Sequence, residues 1–548
     1  MKGGSPEGGA LSPPRVAALT EQRPPSQPSE PALRASAPSA NRTNPWPARL
    51  PAVASRPMRP LSLLLAALLA PSAFAAEYFV ATNGADANPG TLLKPWKTIQ
   101  HAADTLQPGD TVFVRRGVYK GLVTINVSGT PGAPITFTNY LNEKPVIDAA
   151  GIVPPDEDRA LIFIQDRSHL VIRGFELRNF STAKPELQPS GIFVTGAAHD
   201  IALRNNNVHA IRNTHKDGNA FGIAIYGTSP TQAITNLIID GNEVHHLKTG
   251  NSESMVVNGN VTGFEVTNNR VHDNNNIGID FAGFEQTCPD PALDRARDGV
   301  CRGNVVWNIS SRANPSYAGA AAADGIYCDG ATRVLIERNV IYLVDIGVEL
   351  ASEHAGGNCS DCILRDNFIS RCRVTGLGLG GYDAQRGSTL NCVVTNNTFY
   401  LNDTLRTGSG EVMLQHYLTT NTIKQNVFYA GAQNVFVSNP AATNAGTVFD
   451  YNCYFSKGGA PESEWQWKNT GVVGFETWKQ ATAQDAHSLF ADPKFVSAAR
   501  GNFRLTLDSP AVNGGDPAFI PGVGELDIDG AARVTGARVE IGADELAP

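Results

Sequence analysis

The stretch IALRNNNVH (residues 201–209) decides the fold, because the same phrase returns along the chain. It reappears as LIIDGNEVH (237–245), FEVTNNRVH (264–272), VCRGNVVWN (300–308) and VLIERNVIY (334–342), then as CILRDNFIS (362–370), CVVTNNTFY (392–400) and NTIKQNVFY (421–429). Its aligned asparagines are Asn206, Asn242, Asn269, Asn304, Asn339, Asn367, Asn397 and Asn426, in steps of 27 to 36 residues. Asparagine tolerates the left-handed backbone and bonds its own turn. Stacked coils are therefore expected to carry an internal asparagine ladder that is structural. Cys362 and Cys392 share one phase of successive phrases and are expected to stack.

Between the phrases lies a second strand: GIFVT (191–195), GIAIYG (222–227), GIDFAG (278–283), GIYCDG (325–330), GVELAS (347–352), GLGLGG (376–381) and EVMLQ (411–415). Positions one and three after its first residue are apolar in each copy, so one face points inward and the other outward. Two short strands per repeat of about 30 residues, with no helical period between them, predict an all-β solenoid, a parallel β-helix.

The composition agrees. The chain has 548 residues, 53 of them glycine, and a net charge of −8 without a basic run, which excludes a nucleic-acid partner. Residues 1–57 are rich in Pro, Ser, Ala and Arg and cannot build a core. Met58–Ala75, MRPLSLLLAALLAPSAFA, has the basic start, apolar run and small-x-small end of a secretory signal peptide and is too short for a stable membrane span. Met58 is expected to be the true start, with 1–57 a disordered extension, and the mature protein to be secreted, extracellular or periplasmic. Residues 76–165 should hold an N-terminal cap and the first coils, with PWKTIQHAADTL (95–106) as a capping helix. The core should span 166–456, and 457–548 the last coils and a C-terminal cap. Eight cysteines suit an oxidising compartment. Cys288 and Cys301 flank an irregular stretch they would staple. Cys359 and Cys362 form a CxxC, for which a redox or zinc role would require a helix N-terminus or a second ligand pair; a structural role is expected.

Any chemistry falls to the outward positions. Down the coils these include Asp280, Tyr327, Asp329 and Glu349 on three consecutive coils, with Asp324 and Asp345 in the turns leading in. Strands stacked about 4.8 Å apart force such acids together, where they raise one another's pKa or recruit a cation. The small residues Ala351, Gly378 and Gly380 leave space beside them, and long excursions at 283–298 and 312–323 would wall a groove. ASEHAGG (351–357) and GGYDAQRG (380–387) bring Glu353, His354, Tyr382, Asp383 and Arg386 to the same end of the stack, with Gln415 below. Arg386 suits a substrate carboxylate and His354 or Tyr382 a proton transfer; Tyr327, Glu353, Asp383 and Gln415 are the candidate substrate contacts.

From about residue 77 the chain resembles secreted right-handed parallel β-helix proteins of the pectate-lyase-like superfamily, on YFVATNGADANPGTLLKPWKTIQHA and PGDTVFVRRGVY. A-D-G-I (323–326) and D-I-G-V-E (345–349) are similar to the calcium-holding acids of polysaccharide lyase family nine. The resemblance implies Ca2+ at Asp324, Asp345 and Glu349, with Ile346 replacing a fourth ligand and Gly378 standing where that family has its catalytic lysine. It further implies an exported lyase that cleaves an acidic, uronate-containing polysaccharide by β-elimination, with a base among Arg386, Tyr382 and His354. An inverting glycoside hydrolase using Asp280 with Glu349 or Asp329 is the second reading: two coils put Asp280 and Glu349 roughly 9.6 Å apart. A non-catalytic glycan-binding surface protein is the third.

Overall fold

The computed structural model describes residues 75–155 and 160–546. The extension 1–57 and nearly all of the signal segment lie outside them. Among the described residues the architecture is a parallel β-helix, as the repeat requires, but each full coil has three strands rather than two. The asparagine phrase is itself a pair of strands. His199–Arg204 precedes the corner and Asn207–Asn213 follows it, and they belong to different sheets. The third strand of that coil, Phe221–Gly227, is the glycine-led segment. Stacking gives one 16-stranded sheet of pre-asparagine strands and two 13-stranded sheets, of post-asparagine and glycine-led strands. The pairing is parallel with matched phase: Ile192 faces Ile223, then Met255, Ile279, Ile326, Val348, Leu377 and Val412. That column and its neighbours form one core with almost every member fully buried.

The ladder exists, with a different division of labour from the one expected. The left-handed residue is the one before each ladder asparagine: Asn205, Asn268, Arg338, Asp366, Asn396 and Gln425 have φ from 52° to 58°, and Gly241 and Gly303 take the same place. The ladder asparagine bonds the next coil, and Asn367, Asn397 and Asn426 also bond their own turn, Nδ2 donating to Arg365 O (2.7 Å), Thr395 O (2.9 Å) and Lys424 O (2.9 Å). Asn304 N–H and Nδ2 both donate to Asn339 Oδ1 (2.9 and 3.0 Å), while Nδ2 also donates to Val266 O (2.9 Å). The pattern runs from Asn206 to Asn426 and continues to Asn452, one coil beyond the last recognisable phrase. These buried polar groups cost little because each is satisfied from both sides.

Both ends are closed. The N-terminal helix is shorter than expected, Ile99–Thr105, and turns Ile99, Ala102 and Ala103 onto the first coil. Gln100 extends the sheet edge: its amide accepts from Thr124 N (2.9 Å) and donates to Thr124 O (2.8 Å), as a neighbouring strand would. At the other end the hairpin Glu464–Trp467/Thr470–Val473 and the helix Phe475–Thr482 stack Trp465 on Trp478 over the last coil. The last coil is therefore covered by residues 464–482. The tail instead runs back along the flank, where Ala543 N bonds Thr398 Oγ1, Gly542 N bonds Gln425 O, and Glu525 pairs with Arg365 at 2.9 Å. All eight cysteines are buried and unbridged. The expected Cys288–Cys301 staple is absent because the two face different groups: Cys288 Sγ meets Ser229 O, and Cys301 Sγ meets Asn304 Nδ2.

Candidate active site

The glycine-led sheet carries the acids in register. Val256 faces Asp280, Asp280 faces Tyr327, Tyr327 faces Glu349, and Glu349 faces Gly378. Asp280 and Glu349 thus sit two coils apart on one column, with the Tyr327 ring between. Asp329 lies two residues along the middle strand Asp324–Asp329. Alternation aims these side chains away from the core, but they are not solvated. Asp280 and Glu349 are each 4% exposed, Asp329 3% and Tyr327 2%, so the expected open groove is a covered recess.

Three loop segments make the cover. Phe284 lies over the strand ends, and Gly330 and Gly357 leave room for its ring: a Cβ at either would come within 2.9 Å of it. The Arg295 guanidinium stacks on the other side of that ring at 4.9 Å. The loops after Ala351 and Gly380 clasp each other through Gly387 N to Ser352 O (3.0 Å) and Arg386 Nη1 to Glu353 O (3.2 Å). Glu353 N in turn donates to Asp329 Oδ1 at 2.7 Å, so the loop backbone fixes that carboxylate.

Asp280 is the electrostatic centre. Burial, followed by the charges of Glu253, Asp329, Glu285 and Asp324, pushes its pKa well above the usual carboxylate range, and its buried Oδ1 has no hydrogen-bond partner among the described residues. Glu349 differs: Gln415 reaches back two coils to donate from Nε2 to its Oε1 at 2.6 Å. Gly378 makes space for it, since a Cβ there would lie 3.2 Å from Glu349 Cγ. Asn258 Nδ2 donates to Glu285 Oε2 (2.6 Å), and Glu285 raises the pKa of His354, whose Nε2 is 3.9 Å away. One ligand atom each of Glu285, Asp329 and His354 lies within 4.8 Å of the others.

The structure therefore gathers Asp280, Asp329, Glu349, Tyr327, His354, Glu353 and Gln415. Arg386, Tyr382 and Asp383 form the wall above: Arg386 lies 4.5 Å over the Tyr382 ring and 3.6 Å from Asp383, engaged by its own loop as well as by Glu353 O. Glu253, Glu285 and Asn258 join the site without having been expected. The strand that supplies Asn258, Met255–Gly259, opens with methionine rather than glycine and so escapes the repeat pattern.

The calcium set does not assemble as the resemblance implies. Asp345 Oδ2 already accepts from Ser311 N (2.9 Å), Ser311 Oγ (3.3 Å) and Ala323 N (3.2 Å), and Arg373 faces Oδ1 at 3.5 Å. A guanidinium and three donors thus take the place a cation would need. Asp345 and Glu349 stand at opposite ends of an extended segment, about 13 Å apart along the chain. Asp324 pairs with Ile346, at the Asp345 end.

Residues 78–229 match the family described as Pel9A-like, right handed beta helix region. The chain is 38% identical over 433 residues to the uncharacterized protein YwoF of Bacillus subtilis (strain 168), spanning 79% of this chain and 91% of YwoF. It is 30% identical over 160 residues to pectate lyase PEL9 of Emericella nidulans, covering 26% of this chain and 37% of PEL9. The crystal structure of pectate lyase Pel9A superposes with a TM-score of 0.47 at 15% identity, over 86% of this chain and 96% of that one.

Proposed function

The chain belongs to the family of Bacillus subtilis YwoF and, through its Pel9A-like region, to a superfamily of polysaccharide-active β-helix enzymes; from that premise we propose that it cleaves a glycan by carboxyl acid–base chemistry. The observation that carries this reading is Asp280, a buried carboxyl on the outward face whose neighbours are other carboxylates. A carboxyl whose pKa is raised by burial and by neighbouring charges is suited to donate its proton to the departing glycosidic oxygen. Glu349, held by Gln415, takes the proton of the attacking water. Two coil spacings separate the pair by roughly 9.6 Å, the upper end of what an intervening water and sugar require for inversion. Protons balance: one passes from Asp280 to the leaving group and one from water to Glu349.

The second reading is β-elimination on a uronate-containing glycan, favoured by the likeness to pectate lyase PEL9. It lacks support at Gly378, where no base stands, and at Arg386, which is engaged within its loop. The non-catalytic reading accounts for the outward aromatics Phe193, Tyr226 and Tyr327 but not for convergent buried carboxyls. The proposal places the enzyme outside the cytoplasm on the strength of the segment Met58–Ala75; no described helix is long and apolar enough to cross a membrane.

A panel of neutral and acidic glycans, each with and without chelator, tests the assignment. Hydrolysis releases reducing ends without the ultraviolet absorbance of an unsaturated uronate and ignores the chelator. Absorbance that depends on added calcium overturns it in favour of the lyase.

A further inference from the structure

The strand that presents Tyr327 and Asp329 outward turns Cys328 into the core, directly beneath the site. There it meets the CxxC. Cys359 and Cys362 are brought to one side by the left-handed residue Asp361 between them (φ 55°), and Cys392 enters from the next coil behind Asn391 (φ 56°). Cys359 Sγ and Cys362 Sγ are 3.7 Å apart, and the sulfurs of Cys359, Cys362 and Cys392 all lie within 4.8 Å of one another. The Cys328 thiol contacts both Cys359 and Cys362. All four cysteines are 0% exposed. The second ligand pair that the CxxC lacks in sequence is thus supplied in space, by residues 31 positions before Cys359 and 30 after Cys362.

We propose that Cys328, Cys359, Cys362 and Cys392 form a tetrahedral thiolate site for a soft divalent metal, Zn2+, that ties three successive coils together beneath the acidic recess. The geometry fits the ion. With Zn–S bonds of about 2.3 Å, a tetrahedron has sulfur–sulfur edges of about 3.8 Å, close to the Cys359–Cys362 spacing. The surroundings also place a hydrogen-bond donor and a cation near the sulfurs. The Val334 N–H points at Cys362 sulfur. Half-buried Arg295, whose Nη2 donates to Asn358 O (2.7 Å) and Ala331 O (3.1 Å), lies close enough to Cys359 and Cys362 to act on their charge. Hydrogen bonds and a cation around the ligands are what a buried site of net negative charge requires. Disulfides would join these sulfurs in pairs at about 2.05 Å and give no reason for three to gather within 4.8 Å of one another with a fourth beside two of them. Binding releases the thiol protons as the coils close, so the metal enters with folding.

The test is metal analysis of the full-length protein purified from zinc-supplemented medium, together with replacement of the metal by Co2+. The expected result is about one zinc per chain, and cobalt protein showing thiolate charge-transfer bands and the visible bands of tetrahedral cobalt. C362S should lower the zinc content by about tenfold or more, whereas C301S, at a buried cysteine outside the group, should keep it. The cobalt spectrum of the unaltered chain decides the matter even if C362S fails to fold. Metal-free protein whose eight thiols all titrate in denaturant overturns the proposal in favour of plain packing. Metal-free protein with thiols missing overturns it in favour of disulfides.

Discussion

Asn304→Ala is the sharpest probe of the fold, because the ladder states which bonds it removes. The asparagine accepts from Asn269 N (2.9 Å) and Asn269 Nδ2 (3.0 Å), and it donates to Val266 O (2.9 Å) and Asn339 Oδ1 (3.0 Å). Two of these partners keep a second bond: Asn269 Nδ2 still donates to Ile239 O, and Asn339 Oδ1 still accepts from Asn304 N. Asn269 N–H loses its partner outright in a region closed to water, while the Val266 carbonyl keeps its ladder bond to the paired strand Ala296–Arg302. An orphaned buried group costs about 1–3 kcal/mol, and the vacated amide volume adds to it. The expected destabilisation is roughly 2–4 kcal/mol. Urea unfolding followed by circular dichroism and tryptophan fluorescence measures it, with coincidence of the two probes as the condition for quoting one value. Glu265→Ala, on the exposed side of the neighbouring strand, should cost no more than about 0.5 kcal/mol. Hydrogen exchange adds a local readout: the Asn269 amide should lose protection, while the Asn242 amide, bonded to Asn269 Oδ1, should keep more of its own. A loss under about 1 kcal/mol with Asn269 still protected would refute the reasoning, since the corner would then be holding itself without the ladder.

Glu411 is fully buried against Asn402 N (2.9 Å) and Asn402 Nδ2 (2.6 Å), and burial pushes its pKa up to about 8. The folded state therefore keeps a proton that the unfolded chain gives up near pH 4.5, so this contribution to stability is complete below that pH and is lost as pH rises through about 8. The full span is worth roughly 4–5 kcal/mol, and Glu411→Gln should flatten the fall of the urea midpoint between pH 5 and 9. An unchanged slope would contradict the assignment. Gly378→Leu, placed against Glu349, should lower turnover on the order of 100-fold while leaving the unfolding transition in place, read by kcat beside circular dichroism. Retained turnover would remove Glu349 from the reaction.

The repeat was legible because it is held by a side chain: an amide accepts with its oxygen from one coil while its nitrogen donates to others, so Asn206 through Asn426 stand in phase where apolar positions drift. The third strand was hidden because both strands that flank the corner fall inside one phrase. The strand Met255–Gly259 was hidden because its glycine is replaced, and with it went Asn258. Asp280, Asp329 and Glu349 could be aligned from period-two alternation alone. Their burial could not, since Phe284 and the loops after Ala351 and Gly380 have no periodicity to read. Asp345 looked like a ligand by its spacing, and only the folded position of Ser311 and Arg373 shows what it binds. The cysteine group is a product of coil stacking: its two outer members join the CxxC only once three coils are in register.

The central claim is that Asp280 supplies the proton for glycan cleavage, and Asp280→Asn tests it most directly. The variant keeps the shape of the side chain and removes the transferable proton. On a glycan that the unaltered enzyme cleaves, with chelator present, kcat for reducing-end release should fall by about a thousandfold while KM changes little. Cleavage by the variant at an undiminished rate, or products that absorb as unsaturated uronates and appear only with calcium, would contradict it.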